Sequence, residues 1–224
     1  MTHYRRSGLA AALATALVAV PALAQTPAAQ APATQAPAAP APAAQPPMTR
    51  TIVRGVVTQV KPDALVLKGK DGKLVTVGLA KGWTVAIMKP IAASAIQPGS
   101  FIGTAEMPQA DGNGRSLEVH IFPPGVKMGE GHYNWDLKAG SMMTNGTVGK
   151  VVASRNGREL DVTYPTGTRH IVVPPKVPIV QITPGVAAQI KPGVSVFLVA
   201  VTPPGGGLVA NSVSTGENGK APPM

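Results

Sequence analysis

The sequence has no cysteine, few aromatic residues and few acidic ones. Its 224 residues include two Trp, three Tyr and three Phe, and 20 Lys and Arg stand against 10 Asp and Glu. The absence of cysteine excludes disulfide bonds, thiolate metal ligands and cysteine nucleophiles. The shortage of aromatic side chains argues against the stacking platforms that hold single-stranded nucleic acid. The formal net charge of +10 therefore favours contact with anionic surfaces over a nucleic-acid partner.

Residues 1–24 follow the order of a secretory signal peptide. Two arginines at positions 5 and 6 precede an apolar run over residues 8–24, which ends in Ala22-Leu23-Ala24. A basic start, an apolar run and small residues before a cleavage point are the features of such a signal. We therefore predict cleavage near Ala24 and a periplasmic location. The alternative is a retained membrane anchor, for which this run is at the lower length limit, and no later run predicts a transmembrane span.

Residues 25–48 predict a disordered linker. They comprise ten Ala, seven Pro, four Gln, two Thr and one Met, with no charge. Such a segment cannot bury a core and favours extended, polyproline-like conformations. After removal of residues 1–24 the chain keeps 18 basic and 10 acidic residues, a net charge of +8.

From Thr49 onwards, short Val- and Ile-rich runs alternate with Gly and Pro, which is typical of β-strands. The predicted strands are 51–60, 64–68, 73–79, 84–88, 100–106 and 115–122, then 146–152, 158–164, 168–173, 178–182, 194–201 and 207–214. A single helical turn is expected before each Pro-Gly, at 91–96 and at 186–190.

The two sets of strands predict an internal repeat. Gly55-Val-Val matches Gly146-Thr-Val, and Ile96-Gln-Pro-Gly99 matches Ile190-Lys-Pro-Gly193. We predict an all-β fold of two tandem OB-like or SH3-like β-barrels, because short antiparallel units must close to hide their edges. The predicted divisions are a signal peptide (1–24), a disordered linker (25–48), barrel domain 1 (49–126), a connector (127–144), barrel domain 2 (145–216) and a flexible tail (217–224).

The framework of Arg54-Gly55, Ile96-Gln-Pro-Gly-Ser-Phe-Ile-Gly103 and Leu117-Glu-Val-His-Ile-Phe-Pro123 resembles a family of exported alphaproteobacterial proteins of unknown function. The later stretch from Gly129 to Val148 is similar to the same family. The resemblance implies export and duplicated small β domains. Some members carry names of metal-transport permeases, from which this chain departs because no span is predicted after the signal.

The connector carries the candidate site residues. Tyr133, Trp135 and Asp136 lie where no strand pattern requires them, so we predict that they bind a partner or pin the two domains together. Burial of Trp135 against one barrel is the expected structural role, with Asp136 at the rim.

A metal site is the alternative function. Glu118 and His120 alternate with apolar residues and so share the non-core face of one strand, while Glu130 and His132 follow a dozen residues later. Two His and two Glu suit zinc, nickel or copper by ligand type, although no compact metal motif is present.

Nothing in the sequence predicts an enzyme, since neither a nucleophile elbow nor a phosphate-binding glycine loop is found. The leading hypothesis is a non-catalytic periplasmic protein that binds or scaffolds an unknown partner in the cell envelope, without a cofactor. The runner-up is a periplasmic transition-metal-binding protein.

Overall fold

The computed structural model describes residues 49–155 and 157–224, and the signal peptide and linker predicted for residues 1–48 lie outside them. Over the described residues the predicted all-β class is confirmed. The strands are β1 (Arg50–Val60), β2 (Ala64–Lys68), β3 (Leu74–Pro90), β4 (Phe101–Pro108), β5 (Gly114–Ile121), β6 (Gly131–Asn134), β7 (Met142–Ser154), β8 (Gly157–Tyr164), β9 (Gly167–Val173), β10 (Ile179–Gly185), β11 (Ser195–Val201) and β12 (Leu208–Gly216). Short 3-10 turns occupy Ala93–Ala95, Ala187–Gln189 and Glu217–Gly219.

The strands close into two rings. Strands β1, β2, β3, β12 and β11 form the first, which we call barrel A, and parallel pairing of β12 with β3 closes it. Strands β4, β5, β9, β8 and β7 form the second, barrel B, closed by parallel pairing of β5 with β9. Strand β10 joins the barrels, because it pairs antiparallel with β3 and parallel with β5.

The barrels are not the two tandem domains that the sequence predicted for 49–126 and 145–216. Barrel A takes β1–β3 from the first half of the chain and β11–β12 from the second, and barrel B takes β7–β9 from the second half and β4–β5 from the first. The reason lies in β3. It is one 17-residue strand, whereas two strands were predicted. Its second part stays paired with β12 of barrel A on one edge, and on the other edge it pairs with β10 in place of β2. The chain thereby crosses to the other barrel before β4 begins, and residues 49 onwards form one compact unit.

The two halves make matching pairings. Gly55 lies opposite Val196, and Gly146 lies opposite Ile102. The Val57 amide donates to the Val194 carbonyl at 2.9 Å, as the Val148 amide does to Ser100 at 2.9 Å. Met88 pairs with Ile182, and these two residues are separated by the same 94 positions as Ile96 and Ile190. A pairing between equivalent positions is what an approximate two-fold axis through this pair would give.

Each barrel has its own apolar core, and a third cluster lies outside both. Leu65, Val77 and Leu198 belong to the fully or almost fully buried core of barrel A, and Ile102 and Leu160 to that of barrel B. The third cluster consists of Met88, Val180, Phe197 and Met224, with Ile52, Trp135 and Ile182 packed against it.

The segment 217–224 is not the flexible tail that its composition predicted. Met224 is buried in the third cluster, and its main-chain oxygen accepts a hydrogen bond from Arg54 Nε at 2.9 Å. An apolar side chain that finds a buried site offsets the entropy of ordering the chain behind it. No helix within the described part of the chain is long and apolar enough to cross a membrane.

The crossed strands lead to a prediction about fragments. Residues 25–127 and 128–224, produced separately, should each lack a cooperative thermal transition, because each barrel needs strands from both fragments. Mixed in equal amounts they should assemble and regain the near-ultraviolet circular dichroism of the whole chain. Cooperative unfolding of either fragment alone would contradict the crossed topology.

Candidate functional site

Glu118 and His120 form a buried pair on β5. Glu118 Oε2 lies 3.0 Å from His120 Nδ1, and the side chains are 0% and 4% exposed. The His120 ring also packs edge-on to Phe122, with 5.2 Å between ring centroids. Val119 and Ile121 face the core of barrel B, so Glu118 and His120 face outward from the barrel. This outer face, which the sequence predicted to be non-core, is buried as well.

A bulge explains why Glu118 is buried there. The pairing of β4 with β5 shifts register between Ala105 and Glu106, and Glu118 Oε1 accepts the Ala105 amide at 2.8 Å. Buried main-chain N–H groups need an acceptor. The carboxylate supplies it where the ladder is interrupted, so Glu118 has a structural role.

His132 lies on the opposite face of the same sheet, at the end of barrel B. Its Nδ1 atom is 2.8 Å from Thr144 Oγ1 and 3.5 Å from Glu106 Oε1. Its ring stacks on Tyr164 with 6.2 Å between centroids. Burial lowers the pKa of His132 below its ordinary value, against the raising effect of the Glu106 charge.

Glu106 is the centre of this cluster, and the sequence analysis did not single it out. It is fully buried and accepts a hydrogen bond from Arg169 Nε at 2.8 Å, while Arg169 also donates to the Gly112 carbonyl at 2.6 Å. The other carboxylate oxygen occupies the space that a Cβ at Gly114 would need. The sequence did contain one indication of this burial. Glu106 follows Ile102 and Thr104 at every second position of β4, so its side chain is on the same inward-facing side of the strand.

The four side chains predicted to bind a metal do not come together. Thr144 pairs with Thr104 and His132, whereas Glu118 pairs with Ala105. Neighbouring residues of a strand face opposite sides, so the sheet itself separates His132 from the Glu118 side chain. Glu130 is exposed. Nowhere in 49–155 or 157–224 do three His, Asp or Glu side chains stand close enough to hold a metal, and binding of zinc, nickel or copper stays a prediction.

The connector residues attach β6 to both barrels. The Tyr133 hydroxyl lies 3.1 Å from Asn145 Nδ2 of β7, and burial raises the Tyr133 pKa. Trp135 is half-buried and packs on Phe197 of β11, with 6.1 Å between ring centroids. Asp136 is exposed, and its two carboxylate oxygens accept hydrogen bonds from the Arg54 guanidinium at 2.7 and 2.9 Å. These three residues thus hold β6 against strands from both barrels.

An open groove of about 500 Å³ lies beside β1 in barrel A. Four consecutive β1 residues, Thr51 to Arg54, form one side, and Val75 and Leu208 contribute apolar surface. The groove is completed by two loops: the β2–β3 turn, with Gly69, Lys70 and Asp71, and the connector, with Asp136 and Leu137. Over the described residues no strand pairs with this edge of β1 before Val56, where β2 begins.

No family model, curated protein or solved structure matches this chain.

Protonation of His132 should destabilise the fold. Because burial lowers its pKa in the folded state, the unfolded chain takes up the proton at a higher pH than the folded protein does. The stability that neutral His132 provides is full above about pH 6.5 and is lost as the pH falls through the folded-state pKa. Urea unfolding between pH 7.5 and pH 5.0 should show a steeper loss for the parent than for His132→Asn.

His170→Asn is the matched control, since His170 lies on the barrel surface beside Asp161 and takes no part in the cluster. This variant should keep the steep loss. Parallel stability curves for the parent and His132→Asn would contradict the prediction.

Proposed function

We propose that this chain is a non-catalytic binding protein of the cell envelope, which holds a segment of a partner protein in the groove beside β1. The observation that carries the proposal is an edge of β1 with which no strand among the described residues pairs, next to an apolar groove. Sheet edges in natural proteins are normally paired, covered or blocked by charge, because a free edge recruits other chains. An edge left open next to apolar surface therefore favours a binding role.

The size and lining of the groove support this proposal. About 500 Å³ is within the range of protein binding clefts. The apolar lining comes from Ile52, Val53, Val75 and Leu208, so burial of a partner's apolar side chain there is favourable. Arg54 and Asp136 neutralise each other at one end.

The non-catalytic part of the proposal rests on where the titratable side chains lie. Glu118 and His120 are buried and bond to each other, and Glu118 also accepts a hydrogen bond from the Ala105 amide. Glu106 is fully buried at the end of barrel B against Arg169, whereas the His132 side chain beside it is 24% exposed and bonds to Thr144. A general acid or base must reach a substrate proton; three of these four groups are buried, and the Nδ1 atom of the fourth, His132, is bonded to protein.

The envelope location rests on the predicted signal peptide in residues 1–24 and on the net charge of +8 that remains after cleavage. We propose the periplasm as the compartment, where a basic protein is attracted to anionic membrane surfaces. The partner is then another protein of the same compartment.

The location is tested by fractionating a Gram-negative bacterium that expresses the chain with a C-terminal tag. The periplasmic fraction should contain a band shortened by the signal peptide. Charges placed in the apolar run, Leu13→Arg with Leu17→Arg, should leave the full-length chain in the cytoplasm. A full-length cytoplasmic band from the parent would contradict the proposed location.

The groove is tested by selecting random twelve-residue peptides displayed on phage against residues 25–224. Selected peptides should lose at least about tenfold in affinity for Val75→Glu, a change of about 1.4 kcal/mol, because the charge falls on the apolar lining. Thr76→Glu is the matched control. It adds the same charge at the next residue, which is exposed and does not line the groove, and it should change affinity less than about twofold, or about 0.4 kcal/mol.

Circular dichroism must show that both variants are folded. Equal binding to both variants, or the absence of any enriched peptide, would contradict the proposed binding site.

A further inference from the structure

We propose that the groove takes one extended strand of another protein, antiparallel to β1, with a large apolar side chain inserted into the end of barrel A. This inference rests on the proposed function and adds the conformation of the bound segment and the side chain that it must carry.

The equivalent edge of barrel B is already occupied by a strand. The approximate two-fold axis places Thr51, Ile52, Val53 and Arg54 of β1 in the positions of Met142, Met143, Thr144 and Asn145 of β7. Those four β7 residues are the ones that pair antiparallel with β6. The four β1 residues are the ones that line the groove. The place beside β1, which no described strand occupies, is thus the counterpart of the place that β6 fills.

The hydrogen-bonding groups of β1 point into the groove as those of β7 point to β6. The Val57 amide bonds to the carbonyl of Val194, the residue before β11, and amides alternate between the two edges of a strand. Thr51 and Val53 therefore face β11, and the main-chain groups of Ile52 and Arg54 face the groove. In barrel B the Trp135 amide donates to the Ser141 carbonyl at 2.9 Å, which puts the Tyr133 main chain opposite Met143, the counterpart of Ile52.

The two places differ in the side chain that they accept. In barrel B, His132 of β6 is held by Thr144 and Tyr164 and lies near Glu106 and Arg169. The matching strand pairings put Val53, Gly69, Ala200 and Val75 of barrel A in the places of Thr144, Tyr164, Glu106 and Arg169, respectively. Each polar or aromatic neighbour is replaced by a smaller or apolar one. The site in barrel A therefore has space for a side chain but offers it no side-chain hydrogen-bonding partner. A bulky apolar side chain fits this site, and a histidine does not.

The linker of this chain is a poorer occupant than a partner strand. The 91-residue spacing between Gly55 and Gly146 puts Pro40-Ala-Pro-Ala43 at the positions of β6. These residues offer two side chains no larger than a methyl group, and their two prolines have no amide to donate. A segment from another protein can supply both the amides and the apolar side chain.

A graft tests the inference within the whole chain. Residues 38–49 are replaced by a copy of residues 129–140, with leucine in place of the copied His132. Amide hydrogen exchange of Ile52 and Arg54 should slow at least tenfold against the parent, because the copied strand pairs with β1. The matched control carries proline in place of the copied Tyr133, which removes the amide that faces Ile52, and it should exchange like the parent.

Two results would overturn the inference. Unchanged exchange at Ile52 and Arg54 in the leucine graft would exclude strand addition at this edge. Exchange that is already slow in the parent and becomes fast in a chain starting at residue 49 would make the linker the occupant.

The failure of this inference can be told apart from failure of the proposed function. If the graft leaves exchange unchanged while the selected phage peptides still depend on Val75, the groove binds peptides in another manner and the proposed function stands. If the peptides also ignore Val75→Glu, both fall.

Discussion

The exchange of strands between the two halves of the chain is the constraint on which the rest of the structure depends. Three strands from one half, such as β1–β3, expose two edges with unpaired main-chain groups. In barrel A those edges are covered by β11 and β12 of the other half, and in barrel B the reverse holds. Because buried N–H and C=O groups must be paired, neither barrel can close without the other half of the chain. The two cores therefore form in one compact unit, with the third cluster packed outside them.

The same exchange makes the two barrels comparable position by position, so that their differences can be interpreted. Barrel B buries a carboxylate, Glu106, at one end, and an arginine and a strand carrying His132 accompany it. A buried charge requires such partners, since desolvation alone is costly. Barrel A has Ala200 and Val75 at the matching positions and needs no polar partner there. The end of barrel B is filled by β6, whereas the end of barrel A is an apolar opening beside a strand edge that no described strand covers.

The sequence predicted most strands to within two or three residues, and the 3-10 turns at Ala93–Ala95 and Ala187–Gln189 fall inside the predicted helical turns. It missed β6, because Gly131–Asn134 has no apolar alternation. It also missed the role of Glu106, whose buried carboxylate is paired with Arg169, 63 residues away. Alternation did place Glu118 and His120 on one face. It could not show that this face is buried too, since that depends on packing from strands far along the chain.

By itself the sequence determined the all-β class, most of the strand positions and the residues that share a strand face. These follow from interactions within a few residues, namely alternating apolar side chains and glycine or proline turns. Only the tertiary structure decided which half supplies each neighbouring strand, which candidate side chains meet, and which strand edge stays open. Two similar halves offer similar edges to each other, so local sequence cannot select between pairing within a half and pairing across halves. The selection is made by the uninterrupted β3, which carries the chain out of one barrel and into the other.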